Sequence, residues 1–304
     1  MKTELLAIIL TATTFSAPIN IKVDWNTINY PIDSMAFGVC GFQATNPINT
    51  QDENYRKNLK LILGTRNGGG LFRIHTWEMI DTNGKSNSWI SGGKWNEEKI
   101  KLSIKGLKDA GIKNICINIP DGISPATKIG NPSGFADFCA QLVRIINVDG
   151  KLGVKYWECP NEADQANPKL TGSDEATVFN AAAIAMKKVD PTIKTGGPAV
   201  ARPDLQADIK TFIDQTLPNL DFISFHTYGG DGHKTDEQVW ASAGAEWYSQ
   251  YITDYLNTKS PARFIPTFYD EFNVSWTWQA GAEQMNGMSG AIYDALHYCP
   301  KCFS

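Results

Sequence analysis

Seven times in succession, a short apolar run rich in β-branched or aromatic residues precedes a longer stretch with helical periodicity. That alternation restricts the chain to βαβ units around a parallel sheet. The strand candidates are Ala36–Phe42, Leu71–Thr76, Ile112–Ile119, Gly153–Glu158, Ile193–Gly197, Asp221–Thr227 and Arg263–Tyr269. The helix candidates are Asn54–Leu63, Asn96–Ala110, Gly134–Val148, Asp174–Val189, Asp204–Thr216, Asp236–Leu256 and Ala282–Leu296. Ser173 is expected to cap the fourth helix, and Gly111 directly follows the second. Seven units exceed most open doubly wound sheets and approach the eight of a closed barrel. The expected fold is therefore α/β, a (β/α)8 TIM-type barrel apparently lacking its eighth strand–helix unit.

The tail Tyr298–Ser304 contains no apolar β-branched run. A barrel short of one strand has two unpaired edges. A C-terminally incomplete barrel is the expectation here, unless Ile19–Ile28, with Ile19, Ile21, Val23 and Trp25, moves in to cover the gap. At 304 residues and 42% hydrophobic composition, one large domain over residues 17–304 suffices, and no linker interrupts it. The loop Gly64–Gly70 ends in three glycines but is not a phosphate loop. No Lys-Ser/Thr follows it, and it runs from helix to strand.

Residues 1–16 read as a secretory signal: Met1-Lys2 supply positive charge, Leu5–Leu10 an apolar run, and Thr14 and Ser16 the small residues before cleavage. The expected location is extracellular. The apolar run is too short to span a bilayer, so no membrane association is expected. A net charge of −4 gives no reason to expect a nucleic acid partner. Of the six cysteines, Cys40, Cys116 and Cys159 sit in or beside strands, as small buried hydrophobes often do. Cys299 and Cys302 form a lone C-x-x-C, which suits a local disulfide better than zinc. The four His, at 75, 226, 233 and 297, form no metal-binding spacing, so no metal is expected.

In such barrels reactive groups stand at the C-terminal ends of strands and in the loops that follow. Those positions hold Arg73, His75 and Trp77 after strand two, Asn161 and Glu162 after four, and His226 and Tyr228 after six. Strand seven is followed by Glu271, Asn273, Trp276 and Trp278. Two carboxylates, Glu162 and Glu271, recur at one depth on strands four and seven. A facing carboxyl pair suits glycosidic bond cleavage, in which one acid protonates the leaving oxygen and the other, ionised, attacks the anomeric carbon.

The segment Tyr156-Trp157-Glu158-Cys159-Pro160-Asn161-Glu162 resembles the Asn-Glu acid/base motif that ends strand four in clan A retaining glycosidases. Phe268-Tyr269-Asp270-Glu271-Phe272-Asn273 is similar to the strand-seven nucleophile motif of family 39 and its relatives, the β-xylosidase-like group. Phe225-His226-Thr227-Tyr228 and Phe72-Arg73-Ile74 resemble the strand-six and strand-two motifs of the same clan. The resemblance, which runs from Phe37 to Tyr293, implies a retaining glycoside hydrolase that needs no cofactor. It further implies Glu162 as acid/base, Glu271 as nucleophile, and Asn161 as the hydrogen-bond partner of the sugar 2-hydroxyl. Arg73 and Tyr228 hold Glu271 ionised, His226 lines the sugar site, and Trp276 and Trp278 are stacking candidates.

The implied partner is a carbohydrate, with β-xylosides first. Glucanase, mannanase, arabinofuranosidase and glucuronidase specificities stay open, as do an inactive carbohydrate-binding barrel and the oligomeric state. Asp270 departs from the Thr more common before the nucleophile, and strand alternation is expected to turn it away from the barrel axis. Glu158 reads as a structural strand residue. The glycosylation acceptor Asn273-Val274-Ser275 is expected to stay unmodified, since a glycan there would block the site.

Overall fold

Seven parallel strands lie in one sheet in sequence order. They are β1 (Gly38–Cys40), β2 (Leu71–His75), β3 (Asn114–Asn118), β4 (Tyr156–Glu158), β5 (Lys194–Val200), β6 (Phe222–Gly230) and β7 (Thr267–Ser275). The computed structural model describes residues 35, 38–63, 69–76, 89–91, 94–120, 131–277 and 282–298. The signal segment, Ile19–Ile28, Trp77, Trp278, Cys299 and Cys302, and most of the Gly64–Gly70 loop, lie outside the described residues. The helices are α1 (Glu53–Leu63), α2 (Glu97–Asp109), α3 (Pro132–Val143), α4 (Gly172–Val189), α5 (Gln206–Thr216), α6 (Ala245–Lys259) and α7 (Met288–Tyr298). The edge strands β1 and β7 approach each other without a ladder between them among the described residues. The sheet is thus a nearly closed barrel, as the alternation predicts. No described helix is long and apolar enough to cross a membrane.

Strand alternation sorts the core into two shells. Outward residues such as Phe72, Ile74, Ile115, Ile117, Trp157, Ile223 and Phe225 pack in one large cluster with helix residues such as Leu107, Phe138, Phe179 and Phe212. Inward residues at the N-terminal ends of the strands, Leu71, Cys116, Phe222 and Phe268 with Tyr156 against them, form a second apolar cluster. Phe222 stacks on Phe268 with ring centroids 4.3 Å apart. Two positions further along the same strands come Arg73, Asn118, Glu158, Ser224 and Asp270. An apolar floor therefore carries a polar layer, and the polar layer carries the site.

Several boundaries differ from the sequence expectation for local reasons. Thr171, not Ser173, caps α4. Thr171 is extended, and its hydroxyl oxygen accepts the Asp174 N–H while the Asp174 carboxylate takes the Thr171 N–H, a capping box. The expected helix over 236–256 is two, Asp236–Trp240 and α6, separated around Gly244. The last divides at Gly287 into Ala282–Asn286 and α7. A small antiparallel pair, Ile90–Ser91 with Lys94–Trp95, was not expected; it brings Trp95 onto Phe138 at 4.0 Å. Four cysteines, Cys40, Cys116, Cys139 and Cys159, are free thiols.

Gly197 is where the sheet closely meets the loop that follows β4. At φ 155°, a Cβ there would lie 2.2 Å from the Cys159 carbonyl oxygen, just before Pro160-Asn161-Glu162. Gly197→Ala should lower stability by about 1–3 kcal/mol and displace the loop. Gly244→Ala, whose Cβ would meet nothing nearer than 3.7 Å, should melt like the wild type. Equal melting temperatures for the two variants would show that the packing at Gly197 is not critical.

Candidate active site

Arg73 organises the barrel mouth. Its side chain is 2% exposed, and carboxylates surround it: Glu158 at 2.7 Å, Glu271 at 3.0 Å and Asp270 at 3.2 Å. Its Nη2 also donates to Asn161 Oδ1 at 2.8 Å, and its Nη1 points at Cys40 Sγ at 3.5 Å. A guanidinium removed from water this fully persists only with such compensation. Burial alone would pull its pKa down, but the surrounding carboxylates more than offset this and hold it protonated.

Glu271 receives the Tyr228 hydroxyl on Oε1 and Arg73 Nη1 on Oε2. Burial pushes its carboxyl up, but the His226 and Arg73 charges and the Tyr228 hydrogen bond outweigh this and hold it below the usual range. Burial beside the Glu271 charge in turn raises the Tyr228 phenol, which stays a donor. Glu162 follows β4 in the left-handed region, at φ 48° and ψ 34°, a backbone strained for a residue with a Cβ. Its N–H donates to the Ala199 carbonyl at 3.0 Å, so the end of β5 holds it in place.

Between the two glutamates stands His226, fully buried. Its Nδ1 is 2.8 Å from Glu162 Oε1 and 3.7 Å from Glu271 Oε2, and its Nε2 is 3.4 Å from Asp270 Oδ1. Burial favours the neutral ring, but Glu271, Asp270 and Glu162 overcome it and raise the pKa to about 10. His75 goes the other way: burial and the Arg73 charge lower it to about 3, so it stays neutral. One ligand atom each from Glu162, His226 and Glu271 lie within 4.8 Å of one another. Such a trio can surround a cation, but an imidazole that keeps both protons offers no lone pair. The arrangement suits an ion-paired acid–base set better than a metal centre.

Six of the eight candidate residues, Arg73, Asn161, Glu162, His226, Tyr228 and Glu271, thus converge on one cluster. Trp276 sits one residue past β7 with its side chain 61% exposed, its N–H donating to Gly230 O at 3.0 Å. Trp278 lies outside the described residues.

The expectation for Asp270 was wrong. Phe225 pairs with Tyr269, but His226 pairs with Glu271, so Asp270 is the extra residue of a β-bulge. Tyr269 and Phe272 stack on each other at 4.9 Å on the outer side, while Asp270 and Glu271 both face in. Glu158, taken as structural, is the fully buried ion-pair partner of Arg73. Sequence reading also missed a cavity of about 420 Å³ next to the glutamates, lined by Pro203, Asp204, His226, Tyr228, Trp247 and Tyr248. Trp247 is 54% exposed there. It lies within a helical pattern, where an aromatic residue reads as core.

A barrel that presents two carboxyl groups from the ends of its fourth and seventh strands defines the architecture shared by many retaining glycosidases. The comparisons agree. Residues 145–287 match the model of Glycosyl hydrolases family 39. A β-xylosidase of Caldicellulosiruptor saccharolyticus is 30% identical over 139 residues, which are 43% of this chain and 28% of that protein. The crystal structure of a glucosidase from Croceicoccus marinus superposes with a TM-score of 0.59 at 19% identity, over 87% of this chain and 57% of the other. A family 51 α-L-arabinofuranosidase from Bifidobacterium longum gives 0.57 at 18% identity, over 84% and 59%. The two structures carry the fold alone. The chain spans little more than a quarter of the curated relative and under two thirds of either structure. Over the segment that supplies β4 to β7, it is related to the family 39 glycosyl hydrolases.

The His226 charge makes a test of the cluster's electrostatics. Its pKa rises on folding from 6.5 to about 10, so the folded state holds the extra proton across that window. The contribution is full below about pH 6.5 and is lost as pH climbs toward 10. The wild-type melting temperature should decline over that range, and His226→Gln should remove that part of the slope, although its melting temperature is lower throughout. An identical slope in both proteins would mean that the ring is neutral in the fold.

Proposed function

We propose that this chain is a secreted retaining glycoside hydrolase that cleaves β-linked sugars of plant cell-wall type, β-xylosides first. The convergence of the Glu162 and Glu271 carboxyl oxygens to within 4.8 Å carries the reading. It accords with the roughly 5–5.5 Å separation of retaining pairs and falls short of the roughly 6.5–9.5 Å that an inverting water requires. Glu271, ionised and fixed by Arg73 and Tyr228, attacks the anomeric carbon. As the glycosidic C–O bond breaks, Glu162 hands its proton to the leaving oxygen. His226 occupies Glu162 Oε1, which leaves Oε2 to carry that proton. Glu162 then takes a proton from water, whose oxygen displaces Glu271 and releases the sugar with its configuration retained.

Asn161 supports the same chemistry. Its Oδ1 is committed to Arg73, which leaves the amide N–H groups for the sugar 2-hydroxyl. Trp247 and Tyr248 in the cavity, and Trp276 at the rim, offer aromatic faces for neighbouring sugar rings. Preference for xylosides rests on the family 39 match and the similar β-xylosidase. Likeness to an arabinofuranosidase fold keeps that specificity as the second reading. Secretion rests on the pattern of residues 1–16. N-terminal sequencing of protein recovered from culture medium should begin at Ala17; retention in the cell with Met1 intact would refute it.

The two glutamates should fail differently. Glu271→Ala should abolish turnover of aryl glycosides, and azide should restore it with inverted product. Glu162→Ala should lose roughly 10²–10⁴-fold on poor leaving groups and much less on good ones. Run across aryl xylosides, glucosides, mannosides and arabinofuranosides, the wild type should turn over the xyloside fastest. Equal losses on every leaving group without azide rescue would refute the roles, and brisk turnover of another sugar with none of the xyloside would refute the substrate.

A further inference from the structure

Asp270 and Glu158 are two carboxyl groups that the proposed reaction does not use, buried beneath the two that it does. Their side chains are 2% and 0% exposed. Glu158 Oε2 is taken by Arg73 at 2.7 Å and by Asn118 Nδ2 at 2.8 Å. Glu158 Oε1 has no hydrogen-bond partner, and the two Asp270 oxygens have only the wider ion-pair contacts of Arg73 and His226. Yet the two carboxyls face each other closely enough to hydrogen-bond once a proton lies between them. An oxygen left without a donor in so dry a pocket is costly, and two carboxylates facing each other there are costlier still.

Charge counting gives the same answer. The groups facing this pocket come from β1, β2, β3, β4, β6 and β7. Cys40 from β1 and Cys116 from β3 are thiols that burial keeps protonated. Asn118 from β3 and Ser224 and Tyr228 from β6 are neutral donors. His75 from β2 is neutral. The cations are Arg73 and His226, and the carboxyls are Glu158, Glu162, Asp270 and Glu271. Glu162 must hold a proton to act as an acid, which leaves three carboxyls against two cations. A net buried charge is far more expensive than one further proton. We propose that Glu158 and Asp270 share a single proton, Glu158 Oε1–H donating to Asp270, so that the pair holds one negative charge against Arg73 and His226.

Burial and the neighbouring Asp270 push Glu158 up. Burial opposes ionisation of Asp270 too, but Arg73 and the hydrogen bond from Glu158 outweigh it and bring Asp270 down. The proton therefore sits on Glu158. The ionised Asp270 faces Arg73 Nε at 3.2 Å and His226 Nε2 at 3.4 Å, and His226 in turn reaches Glu162 through Nδ1. The pair is thus a positioning element that keeps His226 a cation and aims it at the acid/base. This consequence and the charge count rest on the retaining reading of the site; the unpartnered Glu158 oxygen facing Asp270 does not.

The pair makes an unusual mutational prediction. Glu158→Gln and Asp270→Asn each expel the shared proton and leave one negative charge. Either single variant should therefore keep the alkaline limb of kcat/KM, which reports proton loss from the Glu162–His226 pair, close to wild type. The double variant leaves Arg73 and His226 with Glu271 as their one remaining negative charge and should move that limb acidward by about one pH unit or more. Equal, additive shifts in the two single variants would overturn the proposal. The infrared spectrum gives a readout independent of activity. A protonated-carboxyl carbonyl band at neutral pH should survive Glu162→Gln and vanish when either variant of the pair is combined with Glu162→Gln. Absence of that band from Glu162→Gln overturns the shared proton even if neither pair variant folds and even if the enzyme cleaves no glycoside.

Discussion

Every other part of this site is arranged around one buried cation. Arg73 lies on β2 among inward-facing residues, without solvent to screen it. An uncompensated guanidinium there would prevent folding, so the strands opposite must present carboxyl groups. They do so from β4, through Glu158, and from β7, through Asp270 and Glu271. Stability alone would need one such partner. Several carboxylates crowded on one arginine make a reactive arrangement, because the least buried of them, Glu271, is held ionised while still reachable from the barrel mouth.

The bulge in β7 allows this crowding. A regular strand would have put Glu271 among the outward aromatic side chains if Asp270 faced in, or the reverse. Inserting one residue lets Asp270 continue the inward series from Phe268 and turns Glu271 inward as well, one step closer to solvent. The lower carboxylate then serves the cations, and the upper one is the more exposed at the barrel mouth. β5 has a similar irregularity between Pro198 and Val200, with Ala199 at φ 52°. From there the Ala199 carbonyl holds the Glu162 N–H. Both glutamates are thus delivered by departures from ideal sheet geometry, on a scaffold that is otherwise regular.

That division also separates what was legible in the sequence from what was not. Period-two and period-3.6 patterns follow from burial of one face, so all seven barrel strands and seven helical segments could be read, with errors at their ends and breaks, while the short Pro47–Gln51 helix and the Ile90–Ser91/Lys94–Trp95 pair were too brief to show a period. Arg73, Asn161, Glu162, His226, Tyr228 and Glu271 were legible because strand ends and short motifs locate them. Asp270 was misread because alternation is a rule about unbroken ladders, and Phe268-Tyr269-Asp270-Glu271 carries no glycine or proline to mark the bulge. The helical break before α6 escaped notice for a similar reason: Ala241-Ser242-Ala243-Gly244 lies within an otherwise continuous amphipathic pattern. The aromatic cavity at Trp247 and Tyr248 depends on that break and on the loop holding Pro203 and Asp204, which are distant in sequence.

The cluster also bears on the sheet's two edges. Among the described residues, no backbone ladder joins β1 to β7, although the two strands approach. Side chains connect them instead. Arg73 on β2 reaches Cys40 on β1 and both carboxylates on β7, contacts that span up to 198 positions of sequence. An ion pair in a low-dielectric interior is stronger than one at the surface, but it tolerates little movement before its desolvation is left uncompensated. The geometry that holds Glu271 for chemistry is therefore the same geometry that ties the β7 edge to the β1–β2 edge. Whatever contacts Glu271 therefore bears, through Arg73, on both edges of the sheet, so occupancy of that carboxylate and rigidity of the barrel mouth are linked.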